Sequence, residues 1–287
     1  MKNIPKIDLH MHSTVSDGTD TPEEILSHVR EAGIEWFALT DHDAVKGCAR
    51  IRSLLEAEDP RFLNGVEFSC RDEEGKYHIL GYGYDPEKAA ISQVVKKGHS
   101  LRMKKVNTRL DGLKKRFGVI FPENEVKNLL ALDNPGKPHI GNLMVKYGYA
   151  QSKEQAIHEY INMVSARSEY IRPEEAIEGI LQSGGIPVLA HPPFGSGEER
   201  ITGSEMEHRL HRLIGFGLRG LEGFYSAYTP EMCARMLSFA EKYDLYVTAG
   251  SDYHGKNKPV LLGNTHLEWE QELPERLERF LEAVFSF

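Results

Sequence analysis

The sequence predicts an α/β fold in which strands and helices alternate along the chain. Apolar segments such as "WFALTDHD" and "LYVTAGSDYH" are typical of buried strands, whereas "TPEEILSHVREAG" has the pattern of an amphipathic helix. In that helix Thr21 suits the N-cap, Pro22 the first helical position, Glu24 a capping box and Gly33 the end. Alternating strands and helices favour βα units arranged as a parallel sheet or a barrel.

The other elements follow the same rhythm, with one interruption. Strands are predicted, in chain order, within "KIDLHMH", "WFALTDHD", "RFLNGVEFSC", "YHILGYGY", "IPVLAHP", "LRGLEGFY" and "LYVTAGSDYH". Further helices are predicted within "AVKGCARIRSLLEAED", "PEEAIEGILQSGG", "EMEHRLHRLIGFG", "TPEMCARMLSFAEKYD" and "PERLERFLEAVF". Residues 91–170 are polar, rich in Lys and Arg, and contain no convincing buried strand. We therefore expect a helical insertion at 91–170, with 1–90 and 171–287 forming the main domain.

Composition excludes several classes of protein. The chain has 287 residues and a net charge of −8, whereas a protein that binds long nucleic acids is normally basic. No apolar run approaches the roughly 18 residues of a membrane span. We expect no signal peptide, because "MKNIP" runs directly into the first predicted strand. We expect a cytoplasmic protein whose cysteines, Cys48, Cys70 and Cys233, are reduced. The sequence does not indicate an oligomeric state.

Residues that can bind a metal recur at the ends of the predicted strands. Because alternate residues of a strand share a face, Asp8, His10 and His12 are expected to point the same way. An unpaired buried polar group costs about 1–3 kcal/mol, and metal ligation would supply the missing partner. Similar residues follow in or after later strands, namely His42, Glu67, His78, His191, Asp252 and His254. Strand ends form the active site in parallel α/β folds, so these side chains, and Asp17 from the first loop, are expected to converge.

Five motifs resemble those of the PHP (polymerase and histidinol phosphatase) family of metal-dependent phosphoesterases. They are "DLHMHSTVSDGTDTPEE", "ALTDHD", "NGVEFS", "LAHP" and "GSDYH", and the likeness covers the chain outside the insertion. The insertion resembles that of the stand-alone bacterial subgroup, which includes nucleoside bisphosphate phosphatases and cyclic phosphodiesterases. The resemblance implies a distorted (β/α)7 barrel with a helical insertion and a trinuclear metal site.

Position by position, the resemblance implies three divalent ions, which would be manganese, iron or zinc. The first would be held by His10, His12, Glu67 and Asp252, the second by Glu67, His78 and His191, and the third by Asp17, His42 and His254. The nearby carboxylates Asp8, Asp41 and Asp43 would orient imidazoles by accepting their second ring N–H. Such ions would activate a bridging hydroxide for in-line attack on a phosphoester, with Asp17, Glu67, Asp252 and His254 as the catalytic residues. The remaining histidines, His28, His99, His158, His208, His211 and His266, are interpreted as ordinary surface or partly buried residues.

The insertion supplies candidates for binding the substrate. "NPGKPHIGNLM" offers Lys137 and His139, and "SARSEYI" offers Arg167, each of which is hypothesised to hold a phosphate. The alternative for these residues is a solvated basic hairpin. The basic run from Lys96 to Lys115 is interpreted as a solvated face rather than a groove for nucleic acid.

The expected substrate is a small phosphorylated metabolite. The leading candidates are a nucleoside 3′,5′-bisphosphate, the end of a short oligoribonucleotide and a ribose cyclic phosphate. Three alternatives stay open: a histidinol-phosphate phosphatase, a non-catalytic metal-binding module that docks to a polymerase, and a metal-dependent amidohydrolase. The last is disfavoured because such barrels usually carry a lysine that bridges their metals, and no predicted strand end offers one.

Overall fold

The computed structural model describes residues 4–164, 169–195 and 200–285. Within these ranges seven strands form one sheet, and their spatial order is their order in the chain. They are β1 (Ile7–Asp8), β2 (Trp36–Leu39), β3 (Arg61–Arg71), β4 (Lys76–Tyr82), β5 (Ile186–Leu189), β6 (Gly220–Tyr225) and β7 (Tyr246–Gly250). Each coincides with a segment that was predicted to be a strand, with β3 and β4 each one residue longer at their shared turn, so the predicted strands are confirmed.

The sheet curls into a nearly closed barrel. β1, β2 and β3 are parallel neighbours, as are β5, β6 and β7. The segment after β1 returns to β7, where Leu9 N–H donates to the carbonyl of Ala249 at 2.8 Å and Met11 forms a parallel bridge with Tyr253. The expected distorted (β/α)7 barrel is confirmed.

The strand β4 departs from the parallel arrangement that the sequence predicted, because it runs antiparallel to both β3 and β5. A tight turn joins β3 to β4, and in it Asp72 Oδ1 accepts the N–H groups of Glu74 and Gly75 at 2.9 and 3.1 Å. A turn this short reverses the chain, whereas a parallel pair needs a crossover of about a dozen residues or more. The expectation of a purely parallel sheet is therefore wrong at this strand.

Helices follow most of the strands. In the described ranges they are α1 (Pro22–Glu31), α2 (Lys46–Leu54), α3 (Ala89–Phe117), α4 (Glu123–Leu130), α5 (Lys137–Lys146), α6 (Lys153–Gln155), α7 (Pro173–Gln182), α8 (Gly203–Gly215), α9 (Pro230–Lys242) and α10 (Glu275–Phe285). The capping box of α1 is present, because Thr21 Oγ1 accepts from Glu24 N–H at 3.2 Å and Glu24 Oε2 accepts from Thr21 N–H at 2.7 Å. None of these helices is both long and apolar enough to cross a membrane.

The helices between β4 and α7 have an apolar cluster of their own. Together with a π-helix at Ala156–Ile161, they bury Val106, Leu113, Leu129, Ile140 and Met144 among other side chains. We call the segment from α3 to the end of this π-helix, residues 89–161, the helical insertion, and the predicted bounds of 91–170 stay a prediction. Its long first helix, α3, also packs against α7 of the barrel, so the insertion rests on the side of the barrel next to β4 and β5.

Candidate metal centre

The nine candidate ligands converge inside one end of the barrel. His10 and His12 follow β1, His42 follows β2, His191 follows β5, and Asp252 and His254 follow β7. Glu67 and His78 lie within β3 and β4, since both strands continue past the barrel end into their hairpin. His10, His12 and Glu67 are at most 1% exposed. Strand ends therefore deliver the cluster, as the sequence predicted.

Glu67 lies at the middle of the cluster. Its Oε2 is 3.3 Å from His10 Nε2, 3.1 Å from His12 Nε2 and 3.2 Å from His42 Nδ1. Its Oε1 is 2.8 Å from His78 Nδ1 and 3.3 Å from His191 Nε2. A single carboxylate thus faces five imidazoles, which is the geometry of a bridging ligand.

The ligand atoms form three overlapping groups, within each of which they lie within 4.8 Å of one another. The groups are His10, His12, Glu67 and Asp252; His42, Glu67 and His78; and His12, Asp17, His42 and His254. The first group equals the set that the resemblance implies for the first ion. The others differ from the implied sets, since His42 stands beside His78 and His12 beside Asp17. The assignment of ligands to individual ions stays a prediction.

The donor atoms fit divalent metal ions. Buried side-chain atoms without a hydrogen-bond partner include His10 Nε2, His12 Nε2, His42 Nδ1, His78 Nδ1, Asp17 Oδ1 and both carboxylate oxygens of Glu67. Buried polar atoms normally have a partner, and in these groups the orphaned atoms are the ones aimed at a common centre. Imidazole and carboxylate together suit manganese, iron or zinc better than calcium.

Comparison with known proteins identifies the family. The model of the family described as "PHP domain" matches residues 8–171 of this chain. The chain belongs to the PHP domain family. The relatives and the solved structure described next are phosphoesterases, and the chain is likewise a metal-dependent phosphoesterase, a hydrolase that acts on phosphoester bonds.

Similar PHP proteins are known by sequence and by structure. A phosphoribosyl 1,2-cyclic phosphate 1,2-diphosphodiesterase from Eggerthella lenta is 30% identical over 87% of this chain and 94% of its own length. A 5′-3′ exoribonuclease from Haemophilus influenzae is 27% identical over 87% of this chain and 90% of its own. A 3′,5′-nucleoside bisphosphate phosphatase from Chromobacterium violaceum is 26% identical over 88% of both chains. The solved structure of a protein described as a metal-dependent phosphoesterase from Bifidobacterium adolescentis has a TM-score of 0.82 and 27% identity, covering 98% of this chain and 97% of its own.

Electrostatics in the PHP site couple the carboxylates to the imidazoles. Burial acts to raise the pKa of Glu67, but His42, His78 and His10 hold it well below its usual range. Burial also acts to raise the pKa of Asp17, but His254 and His42 hold it well below its usual range. Burial keeps the pKa of His42 well below its ordinary value. The carboxylates are therefore ionised at neutral pH, as metal ligation requires.

Glu222, in the middle of β6, is a functional residue that the sequence analysis missed. It is fully buried; its Oε1 lies 3.0 Å from His10 Nδ1, and its Oε2 accepts the backbone N–H of His191 at 2.8 Å. A carboxylate can only accept, so His10 carries its proton on Nδ1 and leaves Nε2 free for a metal. The signal in the sequence was a lone charged residue inside the apolar strand "GLEGFY".

The carboxylates that were expected to orient imidazoles have another role. Asp8 accepts from Ser251 N–H at 2.9 Å and from Gly263 N–H at 2.7 Å, and so joins the loops after β7. Asp41 accepts from Ser13 N–H and Oγ, both at 2.8 Å, and Asp43 pairs with Arg102 at 2.6 Å. The interpretation of Asp8, Asp41 and Asp43 as direct partners of imidazoles is wrong, because backbone donors, hydroxyl groups and a guanidinium occupy their oxygens.

Two further groups hold Asp252. Lys258 Nζ lies 2.5 Å from Asp252 Oδ2, and the Tyr225 hydroxyl donates to the same oxygen at 2.8 Å. Oδ1 instead faces the imidazoles, at 3.5 Å from His10 Nε2 and 3.4 Å from His12 Nε2. The carboxylate thus has one oxygen fixed by donors and one oxygen directed at the metal centre.

The candidates for substrate binding divide between the two sides of α5. His139 Nδ1 accepts a hydrogen bond from the N–H of Gly136 at 3.1 Å, and burial lowers the pKa of the ring while the nearby negative charge of Asp17 acts to raise it. Lys137 Nζ donates to Asn162 Oδ1 at 2.6 Å, near the end of the π-helix. Arg167 lies outside the described residues. Outside the metal groups, His28 is half-buried and His208 is exposed, in agreement with their interpretation as ordinary surface or partly buried residues.

Proposed function

We propose that this PHP enzyme binds three divalent cations and hydrolyses phosphoesters attached to ribose. Its substrate would be the end of a short oligoribonucleotide, a nucleoside 3′,5′-bisphosphate or a ribose cyclic phosphate. The proposed ligands are His10, His12, Asp17, His42, Glu67, His78, His191, Asp252 and His254. Bound cations would supply positive charge to the phosphoryl oxygens and lower the pKa of a water nucleophile.

The central position of Glu67 is the observation that best supports this proposal. Both of its oxygens face imidazoles, at distances from 2.8 to 3.3 Å, and it belongs to two of the three groups of ligand atoms. Cations that share one carboxylate lie close enough to bind the same phosphoryl group. Such an arrangement suits in-line displacement at phosphorus.

The choice of a ribose phosphate rests on the relatives. The Eggerthella, Haemophilus and Chromobacterium proteins are named for a phosphoribosyl cyclic phosphate, for RNA and for a nucleoside bisphosphate. Ribose bearing phosphate is the chemistry that these three names share. Histidinol phosphate, which lacks ribose, is the second substrate to test.

His139 is proposed to donate a hydrogen bond to the substrate. Because its Nδ1 accepts a backbone N–H, the proton of the neutral ring is on Nε2. Burial lowers the pKa of His139, so the ring is neutral at pH 7 and Nε2–H is available to a phosphoryl oxygen. Lys137 and Arg167 are proposed to add positive charge for the phosphate groups of the substrate.

A phosphate-release screen tests the proposal. The panel contains adenosine 3′,5′-bisphosphate, a 5′-phosphorylated oligoribonucleotide, a ribose cyclic phosphate and histidinol phosphate, each with manganese, iron or zinc. We expect turnover of at least one ribose phosphate and loss of both bound metal and turnover in Glu67→Gln. The matched control Glu278→Gln, at an exposed position of α10, should behave as the wild type. Preference for histidinol phosphate, or full metal binding and turnover in Glu67→Gln, would contradict the proposal.

A further inference from the structure

One face of α3 carries a row of cations outside the metal centre. Arg102, Lys105 and Arg109 are three and four residues apart, so they share one side of the helix. All three are half-buried. The expectation that the run from Lys96 to Lys115 is a solvated face is therefore wrong for these residues, although Lys104, Lys114 and Lys115 are exposed.

The row begins beside the metal centre. Arg102 Nη2 is 2.6 Å from Asp43 Oδ2 and 3.2 Å from Ser69 Oγ, and Asp43 directly follows the candidate ligand His42. Arg102 also lies close to Gly136, at the start of α5, and near His139. From there Lys105 and Arg109 continue along α3, and a helix rises by about 1.5 Å per residue, so the row extends about 10 Å.

The row has more positive charge than its surroundings neutralise. Asp43 pairs with Arg102, whereas in residues 4–164, 169–195 and 200–285 neither Lys105 nor Arg109 forms an ion pair. Lys105 instead lies over the ring of Tyr170, with Nζ 3.5 Å from the ring centre. The nearby Glu169 is exposed and pairs with Lys104 at 3.2 Å.

The electrostatic cost of this arrangement appears at Lys105. Burial, then Arg102 and Arg109, and finally Lys137 lower its pKa to about 7, while Asp43 opposes them. Burial also lowers the pKa of Arg109. Half-buried cations that repel one another are typical of sites whose charge is balanced by a bound anion.

We propose that Arg102, Lys105 and Arg109 bind the non-scissile phosphates of a short oligoribonucleotide whose terminal phosphoester lies at the metal centre. The proposal rests on the proposed function and selects among its substrates. A single phosphate cannot contact both ends of a row about 10 Å long, whereas successive phosphates of one strand can. A bisphosphate or a cyclic phosphate would leave the far end of the row unused.

Variants at the far end of the row provide the test. Lys105→Gln and Arg109→Gln each remove one cation, and Lys115→Gln makes the same change at an exposed position on the other side of α3. Turnover is compared on adenosine 3′,5′-bisphosphate and on 5′-phosphorylated triadenylate. We expect kcat/KM on triadenylate to fall about 10-fold in each row variant, as for a lost charged hydrogen bond. Activity on the bisphosphate, and both activities of Lys115→Gln, should stay at the wild-type level.

Salt dependence separates a phosphate contact from a structural role. Each lost phosphate contact should make the slope of log kcat/KM against log salt on triadenylate shallower by about 0.7. A variant that merely disturbs α3 would lower kcat/KM on both substrates without changing this slope. Equal losses on the two substrates, no loss on either, or an unchanged slope would each overturn the proposal.

Binding measurements keep the two proposals separate. Fluorescence anisotropy of 3′-labelled, 5′-phosphorylated triadenylate whose hydrolysable linkages are replaced by methylenephosphonates, measured with the metal-loaded protein, reports binding without hydrolysis. We expect about 10-fold weaker binding in Lys105→Gln and in Arg109→Gln than in the wild type and Lys115→Gln. Equal binding by all four proteins would overturn the row as a phosphate site even if the enzyme hydrolyses ribose phosphates. Conversely, the expected binding pattern in a protein that hydrolyses none of the panel would contradict the proposed function and leave the row supported.

Discussion

The substitution Glu222→Gln should weaken metal binding even though Glu222 is not a proposed ligand. Both of its oxygens accept from N–H groups, one from His10 Nδ1 at 3.0 Å and one from the backbone of His191 at 2.8 Å. A glutamine of the same shape has one acceptor oxygen and one donor NH2. Either the His191 N–H then loses its acceptor, or His10 must move its proton to Nε2, the atom that faces Glu67 and Asp252.

The size of the effect follows from that one lost contact. A hydrogen bond to a charged group contributes about 1.5–3 kcal/mol, and each 1.36 kcal/mol is tenfold. Metal affinity should therefore fall roughly 10- to 150-fold, in line with the roughly 10- to 100-fold effect of groups that orient metal ligands. The loss should concern the ions bound by His10 and His191, while an ion held by Asp17, His42 and His254 should be retained.

Competition with a chromogenic chelator measures this affinity without any need for turnover. Wild type, Glu222→Gln and the surface control Glu278→Gln are titrated with manganese or zinc, and bound metal is counted by elemental analysis. Wild-type affinity at every site in Glu222→Gln would refute the reasoning. So would a variant that loses activity but retains all of its metal with unchanged affinity.

The remaining predictions concern metal content, packing and pH. Protein purified without chelator should contain about three transition-metal ions per chain by elemental analysis; one ion or none would be a contradiction. Gly250→Ala should lose metal and also unfold at a lower urea concentration. The reason is that the new Cβ would lie 2.2 Å from His10 Cβ and 2.5 Å from Glu222 Oε1. Unchanged stability and unchanged metal content would contradict this prediction. The Lys105 pKa is lowered from 10.5 to about 7, so the folded protein binds fewer protons there than the unfolded chain between these values. The free energy of unfolding should therefore rise between pH 7 and pH 10.5, and Lys105 should contribute at most about 1.36 kcal/mol per pH unit to that rise. Urea unfolding at several pH values should show this contribution missing in Lys105→Gln and present in Lys115→Gln.

The strands and the polar residues at their ends could be predicted from the sequence because both depend on local pattern. "KIDLHMH" and "GSDYH" place metal-binding side chains two residues apart, and in the structure these residues line one cluster. The direction of β4 depends on the four-residue turn "DEEG", which reverses the chain. The alternation of strands and helices that predicts a parallel sheet is interrupted at this turn, because no helix lies between β3 and β4.

Other features depend on tertiary contacts that periodicity does not encode. Glu222 lies in the middle of a strand, and its importance follows from the approach of His10 across the barrel. The oxygens of Asp8 are used by the loops after β7, which the sequence does not place beside it. For Arg102 and Lys105, a helical wheel shows that they share a face, but not that this face turns toward the barrel rather than toward water.

The helical insertion and the metal centre are also joined through the backbone of two candidate ligands. Asn134, just before α5, donates its side-chain N–H to the carbonyl of His42. On the other side, Lys153 Nζ donates to Asn257 Oδ1 at 2.8 Å, and Asn257 Nδ2 donates to the carbonyl of Asp17 at 2.7 Å. The loops that contain His42 and Asp17 thus accept hydrogen bonds whose geometry depends on the position of the insertion. Since the insertion also carries His139 and the cations of α3, a shift of its helices would move the proposed substrate contacts and the ligands His42 and Asp17 together.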